Sequence, residues 1–523
     1  MSKPVVLAVL DGWGVTPPGS GNAIDQAKTP VFDSLVANYP HASLKSFGES
    51  VGLPWQEMGN SEVGHLNIGA GRIVYQDLVK ITKSVDDGSF FSNAAFHKAV
   101  MHVRTNDSAL HIVGCLSEGG IHAHIAHAEA LLELAAREKL KEVYVHMILD
   151  GRDTPPDTGV EYVARLQKKM KKLKVGKLAT LSGRFFAMDR DNHWDRIAQA
   201  YHAMVDAEGP RVKDPKKALK QAYSEGVFDE SFVPSVIEQK GEPVARVQDG
   251  DAVIYSNYRS DRAKQLTKAF VLPGIDEKVG RTALLKDLLF VTMTEYDNNL
   301  PVEIAFPTDH IANSLGEVIS LAGKKQFRVA ETEKYAHITV FFSAGRIDPF
   351  EQEQRQLIPS VPVKSYDEAP EMSAEGVADA LLEALKVGEH DFYLVNFANP
   401  DMVGHTANVE AAIESIEFLD GQLGRVWEQV KAMGGALLVT ADHGNAEVMK
   451  NLRSGEIDKS HTSNPVPFLL CEIGKEREAT EDELLLWLQE PVGVLADVAP
   501  TVLDIMGLPI PEEMTGTSLR DML

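Results

Sequence analysis

Cysteine is nearly missing: Cys115 and Cys471 are the only two in 523 residues. One distant pair in so long a chain excludes a disulfide framework and fits reduced thiols. Long apolar runs are missing too. The first, Val5–Leu10, ends after six residues at Asp11, too short for a signal-peptide core, and no later run approaches the ~18 residues of a membrane span. Basic residues are few for the length. Lys plus Arg number 52 against 76 Asp plus Glu, a formal net charge of −24. That balance excludes a dedicated nucleic-acid binder and a protein that docks on anionic membrane. A cytoplasmic protein with no nucleic-acid and no membrane partner is expected. Internal repeats and low-complexity linkers are absent, as are several catalytic signatures. Gly59-Asn60-Ser61-Glu62-Val63 lacks the closing glycine of a nucleophile elbow. Pro17 stands where a dinucleotide fingerprint beginning at Gly12 needs Gly or Ala. Neither Gly176-Lys177 nor Gly323-Lys324 continues into Ser or Thr as a phosphate loop does, and zinc-type Cys pairs and HExxH do not occur.

What is present is an ordinary globular balance, 44% apolar and 24% charged, enough for two to four domains. Short apolar runs recur, each followed at once by polar or Gly-rich residues and then an amphipathic stretch. They are Val5–Leu10, Leu110–Val113, Val143–Leu149, Leu178–Leu181, Ala252–Tyr255, Phe392–Phe397 and Ala436–Thr440. Such runs read as buried parallel strands feeding helices, so the fold class is α/β with ligands beyond the carboxyl ends of the strands. Helical spacing of Ile413, Ile416, Leu419, Leu423, Val426 and Val430 gives one apolar stripe. A second helix carries Tyr162, Leu166, Met170 and Leu173, and six lysines between Lys168 and Lys177 read as its solvated face. The polar residues after the strands differ in kind. Near both chain ends they are Asp and His, whereas between about residues 80 and 305 they are Arg. This implies one domain built from residues 1–78 and 306–523, interrupted by an insert at 79–305. The crossings are expected within Tyr75–Lys83 and Val302–Thr308.

Metal-type ligands gather in the terminal segments: Asp11 after the first run, Asp401 and His405 four apart, adjacent Asp442 and His443, and His461. One Asp after a strand is most often a helix cap. Six such groups spread over four segments suit two divalent ions. A mixed N/O set favours Mn²⁺ or Zn²⁺ over Ca²⁺. Two metals about 4 Å apart polarise a phosphoryl oxygen and activate a nucleophile. Ser61 is the candidate nucleophile, at the expected N-cap of a helix whose free N–H groups can bind a phosphate. On that segment alone a plain capping serine is the commoner reading.

The middle region offers Arg152, Arg184, Arg190, Arg259 and Arg262 just after apolar runs, with His122 and Asp153 beside them. A lone arginine is usually a surface ion pair. Five together imply a pocket for a small polyanion, because the guanidinium fork binds carboxylate and phosphate in bidentate fashion. Asp153 can serve a substrate hydroxyl as general acid or base.

These segments carry a resemblance. DGWG at 11–14, GNSEVGHLNIGAGR at 59–72, DGRDTPP at 150–156 and GRFFAMDRD at 183–191 resemble cofactor-independent (2,3-bisphosphoglycerate-independent) phosphoglycerate mutases of the alkaline phosphatase superfamily. So do AETEKYAH at 330–337, NFANPDMVGHT at 396–406, TADHGNAE at 440–447 and HTSNPVPF at 461–468. The resemblance implies an alkaline-phosphatase-like bi-metal α/β domain with a second, inserted α/β domain for phosphotransfer and substrate binding. It implies one metal site at Asp401, His405 and His461, and another at Asp11, Ser61, Asp442 and His443, with Mn²⁺ the first choice. Ser61 corresponds to the serine that is phosphorylated. His122, Arg152, Asp153, Arg184, Arg190, Arg259, Arg262 and Lys334 correspond to substrate-contacting positions, with Ser61, Asp153 and Lys334 catalytic. Without the resemblance Lys334 would read as a surface lysine. The implied activity interconverts 3-phosphoglycerate and 2-phosphoglycerate through a phosphoserine, in glycolysis and gluconeogenesis. The implied protein is a monomer acting on this small molecule, with an insert that closes over the site to exclude water. A metal-dependent phosphatase and a sugar-phosphate phosphomutase of the same superfamily are the alternatives.

Overall fold

The computed structural model describes residues 3–309, 311–450 and 455–523. The chain forms two compact units, Met1–Gln76 with His310–Leu523, and Asp77–Asp309.

In the first unit the described residues form an eight-stranded sheet. Its order is Glu353–Ile358, Gln326–Glu331, Phe392–Phe397, Val5–Leu10, Ala436–Thr440, Val466–Glu472, His41–Lys45 and Gly493–Val494. The central strands are wholly buried, as strands covered on both faces must be, and apolar except for Asn396 and Thr440 near their carboxyl ends. Register sets where these strands end. Leu10 pairs with Phe397 and Val9 with Thr440, so the three parallel strands end level. Asp11, the Asn399–Gly404 helix and Asp442 therefore leave the sheet at one edge. The Val409–Ala432 helix buries Ile416, Leu419, Leu423, Val426 and Val430, as its stripe requires, while Ile413 stays partly buried. The sheet is not parallel throughout. Val466–Glu472 runs antiparallel to both its neighbours. The chain joining it to Ala436–Thr440 has no helix among the described residues, so no crossover helix returns it to a parallel start.

The second unit has its own mainly parallel sheet. Its order is Glu303–Phe306, Leu289–Thr294, Ala252–Tyr255, Leu110–Cys115, Val143–Leu149, Lys177–Gly183, Ser235–Gln239 and Arg211–Val212, with Glu242–Pro243 pairing Ser235–Gln239. Cys115 pairs with Ile148, Leu149 with Gly183 and Val113 with Tyr255. The loops after these strands again open on one edge. The Gly159–Leu173 helix buries Val163, Leu166 and Met170. Its lysines stay at the surface, with Lys169 bonded to Glu133. Cys115 and Cys471 are both free and buried, one in each unit.

Candidate active site

Ser61 opens the Ser61–Ala70 helix but does not cap it. Asn60 is the N-cap, its side chain accepting the Val63 N–H at 3.0 Å. The expected capping duty falls on the neighbour because Asn caps as well as Ser and precedes it here. The Ser61 hydroxyl is thereby released, yet it is buried. It donates to Asp11 Oδ1 at 3.2 Å, faces His443 Nε2 at 3.0 Å and accepts from Lys334 Nζ at 2.7 Å. Lys334 Nζ also donates to Asp11 Oδ1 at 2.5 Å and Asp401 Oδ2 at 2.6 Å. The plain surface reading of this lysine is thus overturned. It is buried at the centre of three carboxylates.

The electrostatics come from that crowding. Burial alone would lower Lys334, but Asp11, Asp401 and Asp442 outweigh it and keep the ammonium charged. Burial pushes the Asp11 carboxyl up, and Asp442 adds to the rise. Burial presses Asp401 the same way, yet Lys334, His405 and His461 hold it well below the usual carboxylate range. Asp442 is likewise held low against its burial by His443 and His65.

A cation site can be tested on these donors. His405 donates Nδ1–H to the Lys459 carbonyl and His461 donates Nδ1–H to the Gly59 carbonyl, both at 2.8 Å. With Nδ1 so engaged, each ring turns its Nε2 toward Asp401, whose carboxylate raises the pKa of His405 and, against burial, that of His461. The two Nε2 atoms lie 3.1 Å apart, and 3.2 and 3.3 Å from Asp401 Oδ1. Two imidazole nitrogens and a carboxylate oxygen converging on one point form a donor set suited to a divalent cation. A second set joins Asp11, Asp401 and His443, with His443 Nε2 3.6 Å from Asp11 Oδ1 and 3.7 Å from Asp442 Oδ2. Both sets fit divalent ions. The residues expected at the metal sites, Asp11, Ser61, Asp401, His405, Asp442, His443 and His461, therefore all meet in this one unit.

Side chains outside the expected site residues hold these groups. His65, one turn after Ser61, donates Nδ1–H to the Ser61 carbonyl at 2.9 Å and lies 3.1 Å from Asp442 Oδ2. Asn396 Nδ2 bridges Asp11 Oδ2 at 2.8 Å and His65 Nε2 at 3.0 Å, and Asn445 Nδ2 donates to Asp401 Oδ1 at 2.9 Å. Glu447, fully enclosed, accepts from the Gly14 N–H at 3.1 Å and Asn464 Nδ2 at 3.0 Å and binds the Thr462 hydroxyl, tying the loop after the first strand to the loop of His461. Four-residue helical spacing from Ser61 was the available signal for His65.

The arginine set meets in the other unit. Arg184 follows its strand directly and is buried, with Nη1 2.6 Å from Asp150 Oδ1 and 2.5 Å from Asp153 Oδ2. Asp261, also unread in the sequence, collects Arg190 at 3.1 Å, Arg259 at 3.2 Å and His122 at 3.5 Å. Arg262 Nη1 donates to the Met188 carbonyl at 3.1 Å. Burial and then Arg190, Arg184 and Arg152 lower its pKa, the mark of cations crowded together. Arg152 is exposed and reaches Glu230 at 3.5 Å. Burial and the nearby Arg184 push His122 down to about 4, so its imidazole is neutral at pH 7. Five guanidiniums face four carboxylates, Asp150, Asp153, Asp261 and Glu230, which leaves positive capacity for an anion.

Comparison with known proteins agrees with both halves. Residues 81–298 match the family described as the BPG-independent PGAM N-terminus, and residues 297–469 match type I phosphodiesterase / nucleotide pyrophosphatase. A 2,3-bisphosphoglycerate-independent phosphoglycerate mutase of Clostridium novyi is 48% identical over 519 residues, 99% of each chain. Its namesake from Moorella thermoacetica is 49% identical over 521 residues, 99% of this chain and 98% of the other. A crystal structure of Leishmania mexicana phosphoglycerate mutase at low cobalt concentration superposes with a TM-score of 0.56 at 28% identity, covering 99% of this chain and 97% of that one. With its two units and their polar edges accounted for, the chain belongs to the 2,3-bisphosphoglycerate-independent phosphoglycerate mutase family.

Proposed function

We propose that this protein interconverts 3-phosphoglycerate and 2-phosphoglycerate by two phosphoryl transfers through a phosphoserine at Ser61, as a step of glycolysis and gluconeogenesis. The observation that carries the reading is the Ser61 hydroxyl, free of capping and held between one cationic donor, Lys334, and the acceptors Asp11 and His443. Ser61 Oγ gives its proton to an acceptor beside it and bonds to phosphorus as the substrate P–O bond breaks. Lys334 holds positive charge against the transferring group, where it is worth most in a dry site. Arg184, Arg190, Arg259 and Arg262 bind the glycerate carboxylate and phosphate oxygens, with Arg152 at their margin. Asp153 and the neutral His122 exchange the proton at the O2 and O3 hydroxyls, so either oxygen can take the phosphoryl group back. Divalent ions at the two donor sets, Mn²⁺ in the first place, supply Lewis-acid stabilisation of phosphoryl oxygens when bound. The reading includes a monomeric, cytoplasmic enzyme. Among the described residues no helix is long and apolar enough to cross a membrane.

The test supplies 3-phosphoglycerate with no bisphosphoglycerate, with Mn²⁺ or with EDTA. Formation of 2-phosphoglycerate without phosphate release, lost in EDTA, is expected. Net release of inorganic phosphate would replace the mutase by a phosphatase.

A further inference from the structure

Arg328 belongs to neither residue set described above. It sits on the strand Gln326–Glu331, fully buried. Its Nη2 donates to Gln326 Oε1 at 2.9 Å, and its Nη1 donates to Ser343 Oγ at 2.8 Å and to the Ile338 carbonyl at 2.9 Å. Nε faces Glu353 Oε1 at 3.4 Å, and the guanidinium carbon lies 5.0 Å from the Phe342 ring centre. Burial draws its pKa down to about 10 against the pull of Glu353. Desolvation offsets most of the attraction in such a pair, so net stability is a weak reason for a charge here.

The Ile338 carbonyl is the informative partner. Residues His337–Phe341 form a π-turn. The Phe342 N–H donates five residues back, to the His337 carbonyl at 2.9 Å, whereas the Ser343 N–H donates four back, to the Thr339 carbonyl at 3.1 Å. That change of register passes over the Ile338 carbonyl. A buried carbonyl without a donor is costly, and Arg328 supplies the donor. Single π-turns occur disproportionately at functional sites. This one joins two parts of the site. Just before it, the turn Thr332–Lys334 carries Lys334. Just after it, the Phe342 carbonyl packs on Gly69 of the Ser61 helix, so closely that a Cβ there would lie 2.0 Å from the oxygen.

We propose that Arg328, paired with Glu353, is a positioning residue that sets Lys334 against Ser61 by bonding the carbonyl the π-turn leaves over. The proposal rests on the mutase reading of those two residues. Arg328→Lys keeps the charge but cannot fork to Ile338 and Ser343 together. In the full-length, metal-loaded protein this variant is expected to lose about 10- to 100-fold in kcat, with KM for 3-phosphoglycerate changed by less than about 2-fold, the signature of misplacement rather than lost binding. Its crystal structure is expected to show Lys334 Nζ out of hydrogen-bond reach of Ser61 Oγ. Calorimetry checks that the fold persists. Should Arg328→Lys not fold, Ser343→Ala removes a hydrogen-bond partner of the same guanidinium and takes the same readouts. An unchanged kcat, or Lys334 still bonded to Ser61 in the folded variant, overturns the proposal. If the wild type shows no mutase turnover, the functional reading fails instead, and the crystal structure still tests the anchor.

Discussion

Lys334 Nζ and Ser61 Oγ lie 2.7 Å apart, with the same ammonium bonded to Asp11 and Asp401. One buried cation thus neutralises two carboxylates and orients the hydroxyl. Lys334→Met keeps the volume and removes the charge. Loss of a single preorganised donor costs about 100- to 1000-fold in kcat, and that fall is expected here. The unpaired carboxylates also lower the thermal midpoint of the metal-free protein, read by calorimetry. Turnover within threefold of wild type would remove Lys334 from the chemistry.

Ser61→Ala deletes the group that the phosphoserine route requires. Because Asn60 caps the helix, the substitution leaves the cap intact. Stability should hardly change while mutase turnover disappears. In the wild type, acid-quenched after mixing with 3-phosphoglycerate, mass spectrometry of the peptide containing Ser61 is expected to show one added phosphoryl group. Its absence at every quench time, together with normal turnover, would point to direct transfer.

The central strands were readable because a strand buried on both faces is almost wholly apolar, as Val5–Leu10 is and as Phe392–Phe397 is apart from Asn396, whereas Gln326–Glu331 and Glu353–Ile358, rich in polar residues, carry no such run. The acidic and histidine residues were readable because parallel strands in register end level, so groups just beyond Leu10 and Phe397 share an edge. Lys334 was not readable from the residues alone. Its burial depends on carboxylates that only folding brings to it, and its local sequence carries no trace of them. Ser61 was ambiguous for a local reason, since Asn60 and Ser61 are both good caps and only backbone geometry decides between them. Arg328 is hidden in an ordinary strand, and its partner carbonyl exists only because a π-turn breaks the hydrogen-bond ladder.

His127 provides a pH test in the other unit. It is buried, bonded through Nε2 to Thr82 Oγ1 at 3.0 Å, and burial followed by the nearby His124 pushes it down to about 3. The ordinary value is 6.5, so the folded state refuses a proton that the unfolded chain accepts. This contribution to stability is therefore complete above pH 6.5 and is lost progressively as pH falls toward 3. A one-proton difference is worth about 1.4 kcal/mol per pH unit. The unfolded imidazole is only half protonated at pH 6.5, so denaturant unfolding at pH 6.5 and 5.5 should show the wild type losing about 1 kcal/mol more than His127→Gln. Identical losses would mean that His127 is already exposed to water.

Gly64 separates a general rule from a local one. In a helix interior, Gly→Ala ordinarily stabilises by about 1 kcal/mol. In the Ser61–Ala70 helix, however, a Cβ at Gly64 would stand 2.5 Å from the Asp442 carbonyl oxygen and 2.6 Å from Asp442 Cβ. Neither atom can move without carrying Asp442, and His443 beside it, away from Ser61. Gly64→Ala is expected to lower the thermal midpoint and weaken Mn²⁺ binding by about 10-fold in calorimetric titration, close to the effect of disturbing a group that orients a metal ligand. Gly421 is the control. It lies in the Val409–Ala432 helix, where an added Cβ would meet nothing within 4 Å. Gly421→Ala should obey the general rule, raise the midpoint slightly and leave Mn²⁺ binding untouched. If both substitutions stabilise and both leave the titration unchanged, the close packing of the Ser61 helix on Asp442 has no part in holding the metal ligands.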